Sequence, residues 1–308
     1  MNKVIVTGAN GFVGSAVVKE LVNNKIEVIA VDLVADRPII TSKKNVRFVR
    51  LDLENIADLK QILENETIDC FYHFAWAGSA GGARADTKLL LKNAQWTIDA
   101  IRVAKDLGCS RFVAAGSIME YETISAAYSD GNKPGLGYIY GSGKLVAHTM
   151  GMSVAADIGI DLIWAEITNA YGVGEFSPRM VNTTIRKIIN GENPQFTVGT
   201  QNYDFVYIDD VARAFYLIGK NGKPFSKYII GSSNARPLKE FLLEMKDSIA
   251  PNLEFAFGNV PFTGINLPLE VFDCSKTEQD TGFKAQISFA DGTKRTLEWI
   301  KGLEKIND

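Results

Sequence analysis

Short apolar runs alternate with longer amphipathic stretches through the first half of the chain. Val4-Ile5-Val6, 26–31, 46–51, 70–75, 111–115 and 161–165 are of strand length and rich in Val, Ile and aromatic residues, as strands buried on both faces require. Between them, 15–23, 56–64, 87–107 and 140–158 carry the spacing of helices. Strands separated by helices pair in parallel through right-handed crossovers. The pattern therefore predicts the α/β class, a doubly wound parallel sheet covered on both faces, with any ligand at the carboxyl ends of its strands. Past about residue 166 the alternation gives way to loops and shorter elements. A smaller C-terminal lobe that holds substrate is expected there, dividing the chain into 1–165 and 166–308.

The first strand runs straight into Thr7-Gly8-Ala9-Asn10-Gly11-Phe12-Val13-Gly14. Gly8 permits the tight turn, Gly11 removes a Cβ where a pyrophosphate approaches, and Gly14 lets the new helix pack closely, so that an anion rests on the helix N-terminus. The second strand ends on Asp32, about 20 residues past the glycines, where a carboxylate accepts from adenosine ribose hydroxyls and repels a 2′-phosphate. NAD is thus expected in preference to NADP, with Arg37 the one nearby residue that pulls the other way.

A second constellation is Tyr140-Gly141-Ser142-Gly143-Lys144. Residues four apart share a helix face, so the ammonium is expected beside the phenol, lowering its pKa from about 10. A phenol so tuned moves the proton of a carbinol while hydride is exchanged with a nicotinamide. Ser117, at the end of the 111–115 strand, is placed to hydrogen-bond the same oxygen.

Composition narrows the partners. A net charge of −3 with scattered basic residues gives no reason to expect nucleic acid or a membrane surface. Cys70, Cys109 and Cys274 are widely spaced and suit reduced packing residues in a cytoplasmic protein, and His73 and His148 have no metal-site spacing. Met1-Asn2-Lys3 enters a strand directly, so no leader peptide is expected.

Over nearly its whole length the chain resembles the extended short-chain dehydrogenase/reductase family of nucleotide-sugar epimerases, dehydratases and 4-ketoreductases. Its glycine motif is Thr7 to Gly14, its adenine-contacting pair resembles Asp52-Leu53, and its H-x-A segment resembles His73-Phe74-Ala75. Asn93 resembles the asparagine of the long helix, and Ser117 with Tyr121 the active-site serine segment. Tyr140 and Lys144 match the catalytic pair, and Asn169-Ala170-Tyr171-Gly172 resembles N-x-Y-G. The segment 204–211 resembles D-F-V-Y-V-D-D-V, and 273–276 with Gly282-Phe283 resembles the closing signature.

The resemblance implies a Rossmann domain and a small-molecule substrate, a nucleotide sugar. It also implies a return of about 204–220 to the first domain and a homodimer built on the two long helices. The implied roles are Ser117, Tyr140 and Lys144 in catalysis, with Lys144 also holding the nicotinamide ribose. Gly8, Asn10, Gly11, Phe12, Val13, Asp32, Asp52, Leu53, Phe74, Ala75 and Asn93 are implied for NAD, Asn169 and Arg179 for substrate, and no metal.

The departures narrow the chemistry. Family dehydratases carry Asp-Glu directly after the active-site Ser or Thr, where this chain has Ile118-Met119. Apolar side chains shuttle no protons, which leaves ketone reduction, alcohol oxidation or C4 epimerisation. Tyr203 replaces an arginine that grips diphosphate in relatives, the 261–266 segment lacks a second, and Glu166 replaces the arginine of R-x-x-N. Arg179, Arg186 or Arg236 is the expected compensation. A reductase of a small non-sugar carbonyl compound is the competing expectation, and a non-catalytic NAD-sensing protein is disfavoured by the intact Tyr140 and Lys144.

Overall fold

A computed structural model describes residues 1–131 and 133–307. Strands β1 (Lys3–Thr7), β2 (Glu27–Asp32), β3 (Val46–Arg50), β4 (Cys70–His73), β5 (Arg111–Ser117), β6 (Asp161–Ile167) and β7 (Lys227–Ile230) form one seven-stranded sheet in the order β7-β6-β5-β4-β1-β2-β3. Every pair in it is parallel. The chain winds outward from β1 in two directions, and this reversal opens a crevice at the carboxyl ends of β1 and β4.

Side chains alternate between two cores. Val4 and Val6 enter one layer, with Val17, Val18 and Leu21 of helix α1 (Phe12–Asn23). Ile5 enters the other, with Ile101 of α2 (Thr87–Asp106) and Ala147 and Ala155 of α4 (Tyr138–Ile158). Between them lies α3 (Met119–Ala127), a helix that the pattern of apolar positions did not announce. Each fully buried aliphatic side chain contributes about 1.5–3 kcal/mol, which makes the sheet a rigid floor for the turns at its upper edge.

The second half starts with two elements that lead into the lobe, a short parallel ladder of Asn169–Tyr171 with Phe205–Tyr207 and helix α5 (Met180–Ile189). Helix α6 (Ile208–Asn221) then packs on α1. Beyond α6 the chain joins the sheet, where β7 pairs with β6 through Tyr228↔Ala165 and Ile230↔Ile167. Tyr228, Ile229 and Ile230 are all buried, but a four-residue strand is too short to stand out as a periodic run. The remaining lobe is built on an aromatic cluster of Tyr171, Phe205, Phe241 and Phe289.

Candidate active site

The glycine turn is a backbone cradle. Gly8 has φ +67°, and a Cβ there would lie 2.5 Å from the Ala75 nitrogen. At Gly14 a Cβ would lie 2.0 Å from the Gly8 carbonyl oxygen, so α1 starts only because that position is bare. Gly11 donates to the Gly8 carbonyl at 3.0 Å and caps α1, whose first turn holds no acidic residue. The amides of that turn open on a cleft of about 650 Å³ lined by Gly8, Asn10, Gly11, Phe12, Val13, Asp32, Asp52, Leu53, Phe74 and Ala75. Bare backbone at Gly8, Gly11 and Gly14, beside a helix N-terminus without a side-chain cap, suits a diphosphate.

At the far side of the glycine turn, Asp32 accepts from the Asn10 and Leu33 amides at 2.8 and 2.7 Å. Arg37 reaches across to the carbonyls of Asn10 and Gly174 at 2.9 and 3.2 Å. Asp52 caps the following turn through Glu54 N at 3.0 Å. Asn93 does not reach the cleft. It is buried and clamps Ala77, accepting from its N–H and donating to its C=O at 2.8 Å each, so it shapes the wall behind Trp76.

Ser117, Tyr140 and Lys144 line the same cleft. Ser117 Oγ accepts from Met119 N at 3.2 Å, which leaves its hydroxyl hydrogen to donate. Burial pushes the Tyr140 phenol up, and the cations that pull it down are Arg84 and Arg179. Lys144 is not among them, contrary to the expectation from helical spacing. Its Nζ donates to Ala115 O at 2.8 Å and sits 3.7 Å from the centre of the Trp76 ring. Desolvation lowers its pKa to about 7, so the ammonium is only partly charged at neutral pH.

A second hollow of about 240 Å³ adjoins the first and holds Asn169, Arg179, Arg84 and Tyr203. Asn169 donates to Asp204 O at 3.1 Å. Arg179 caps α5 and pairs with Glu175, 3.4 Å away. Of the other arginines considered, Arg236 is ion-paired with Glu244, and Arg186 donates to Asn182 Oδ1 at 3.2 Å.

Three residues of the site, Trp76, Arg84 and Glu120, escaped the motif reading. Trp76 packs edge-on against Tyr140, and Arg84 Cζ lies 4.3 Å over the same phenol ring. Beneath Ser117, buried Glu120 accepts from Trp164 Nε1 at 3.0 Å and meets His148 Nδ1 at 2.9 Å. The ligand-type atoms of Glu120, His148 and Glu166 come within 4.8 Å of one another, a proximity that sequence spacing did not show. Glu166 Oε2 has no hydrogen-bond partner, and the Lys227 ammonium is 3.8 Å from it. Burial, with Glu120 nearby, raises the Glu166 pKa. For Glu120 the signal in the sequence was a glutamate within the segment Ile118-Met119-Glu120-Tyr121.

A profile of the NAD dependent epimerase/dehydratase family matches residues 4–231. The chain is 26% identical over 321 residues to a UDP-glucuronate 4-epimerase from Thermodesulfobacterium geofontis, spanning 98% of this chain and 97% of that one. It is 24% identical over 331 residues to a probable dTDP-glucose 4,6-dehydratase from Sinorhizobium fredii, spanning 96% and 92%. A crystal structure of UDP-glucuronic acid 4-epimerase from Bacillus cereus in complex with UDP-glucuronic acid and NAD has a similar fold. It superposes with a TM-score of 0.76 at 21% identity, over 98% of this chain and 99% of that one.

Proposed function

We propose that this chain, which belongs to the NAD dependent epimerase/dehydratase family, transfers hydride at C4 of a nucleotide sugar as a 4-ketoreductase or C4 epimerase. The observation that carries the reading is the meeting of Ser117, Tyr140 and Lys144 with the glycine cradle and Asp32 in one cleft. NAD, held by the cradle, by Asp32 and by the 52–53 and 74–75 segments, supplies the hydride acceptor and donor. The Tyr140 oxygen takes the proton of the C4 hydroxyl on oxidation and returns one on reduction. Ser117 donates to the same oxygen and fixes the carbinol against the phenol. Lys144, with its lowered pKa, lies beside them as a proton relay.

Dehydration is disfavoured because the entry to α3 holds Ile118 and Met119 where an acid and a base are needed. The long helices α2 and α4 pack against each other, and Leu91 and Met150 on them are exposed. This supports a homodimer through that face.

The test is incubation of the protein with NAD and a panel of UDP- and dTDP-sugars, and separately with NADH and the corresponding 4-keto sugars, followed by proton NMR of the sugar. Inversion at C4 without net cofactor change identifies an epimerase. Stoichiometric NADH oxidation with a 4-keto sugar identifies a reductase. Activity on a neutral ketone alone, with no nucleotide-sugar turnover, overturns the reading.

A further inference from the structure

Arg84 sits on the short turn Gly81–Ala85 that follows β4, and its guanidinium covers the Tyr140 ring at 4.3 Å. Its Nη2 donates to Met119 Sδ, a weak acceptor. Among the described residues it has no carboxylate ion-pair partner, whereas Arg179, Arg236 and Arg213 are paired with Glu175, Glu244 and Asp210. Burial works against its charge. Glu122, the acid whose field reaches Arg84, is itself pushed up to about 7 by burial and is no committed counter-ion at neutral pH. A part-buried guanidinium without an anion is costly, and its planar fork matches a carboxylate.

The position of this cation selects among anions. In a pyranose the carbon that bears the diphosphate lies across the ring from C4, whereas the C5 substituent is the neighbour of C4. A cation resting on the catalytic phenol is therefore placed for a group on the sugar itself. Met119 completes the argument. An acid at this position would neutralise Arg84. The thioether leaves the charge free.

Resting on the nucleotide-sugar reading above, we propose that Arg84 recognises a carboxylate carried beside the reacting carbon, so that the substrate is a nucleotide uronic acid. The test is calorimetric titration of the NAD-loaded protein with UDP-glucuronic acid and UDP-glucose, for wild type, Arg84→Lys and Arg84→Met, with circular dichroism to confirm folding. Wild type should favour the uronate by about 10- to 100-fold, the range of one charge-assisted pairing. That ratio should fall toward one in Arg84→Met and lie between in Arg84→Lys. Equal affinity for both sugars in wild type, or an unchanged ratio in Arg84→Met, overturns the proposal while the nucleotide-sugar reading stands. No binding of either sugar overturns both.

Discussion

The backbone N–H of Ser117 donates to Glu120 Oε1 at 2.9 Å. One carboxylate thus fixes the backbone of Ser117, while the same oxygen takes Trp164 Nε1 and the other meets His148. The enclosure is tight. A Cβ at Gly116 would come within 2.2 Å of Trp164 Nε1 and 2.9 Å of Glu120 Oε1. Glu120→Ala orphans two buried donors and should destabilise the protein by about 3 kcal/mol, against about 1 kcal/mol for Glu120→Gln, which keeps an acceptor oxygen. Urea unfolding checks this, and equal losses in the two variants would contradict the arrangement.

Tyr140→Phe keeps the ring that Arg84 and Trp76 pack on and removes the titrating oxygen. Turnover on a true substrate should drop by roughly 10² to 10⁴. NAD affinity, measured by calorimetry, should stay within a factor of about three. Retained turnover would remove Tyr140 from the chemistry.

Asp32 sits at the end of β2 beside Arg37, which is tied to two backbone carbonyls. With the carboxylate in place, NAD should bind more tightly than NADP. Asp32→Ala removes the charge that repels a 2′-phosphate and should narrow the gap by about tenfold, a change of about 1.4 kcal/mol. Titration of both variants with both cofactors decides it, and tighter NADP binding by wild type would reassign the pocket to Arg37.

His73 is buried between the hydroxyls of Thr7 and Thr97, at 2.8 and 3.2 Å. Burial lowers its pKa to about 3, with Lys144 adding to the shift. The folded value lies below the unfolded value of about 6.5, so this contribution to stability is full above about pH 6.5 and is lost as pH falls toward 3. The slope from this group approaches ~1.4 kcal/mol per pH unit. Unfolding free energies at pH 6.5, 5.5 and 4.5 should show a shallower decline in His73→Gln than in wild type. Parallel curves would mean that His73 does not carry the acid sensitivity.

What was legible in the sequence follows from locality. The strands β1, β2, β4, β5 and β6 are apolar enough, and the glycine turn regular enough, to be read without a partner, because a parallel strand buried on both faces announces itself, whereas β3 lies at the sheet edge with Val49 its one buried residue. Helix spacing put Tyr140 and Lys144 on one face, but it could not foresee that Trp76, far away in the chain, takes the ammonium. Arg84 over Tyr140, and Glu120 with Trp164, are joined only by the fold. Asn93 shows the converse. It matches a motif position, yet its amide serves the backbone of Ala77 rather than the cleft.

Glu166 gives the prediction of opposite sign to His73. Glu120 accepts from Ser117 N and Trp164 Nε1 and meets His148 Nδ1, whereas Glu166 Oε2 has no hydrogen-bond partner. Its pKa in the fold is raised above the unfolded value of about 4.3, first by burial and then by Glu120. Stability from this group is therefore full below about pH 4.3 and declines as pH rises through neutrality, where the unfolded chain releases the proton and the fold retains it. Glu166→Gln is isosteric and uncharged, so it removes that penalty. The variant should match wild type at pH 5 and gain on the order of 1–2 kcal/mol at pH 8. If Lys227, 3.8 Å away, held Glu166 as a full ion pair, the substitution would instead destabilise at pH 8. The sign of the difference in unfolding free energy at pH 8 therefore tells a shared proton from a buried salt bridge.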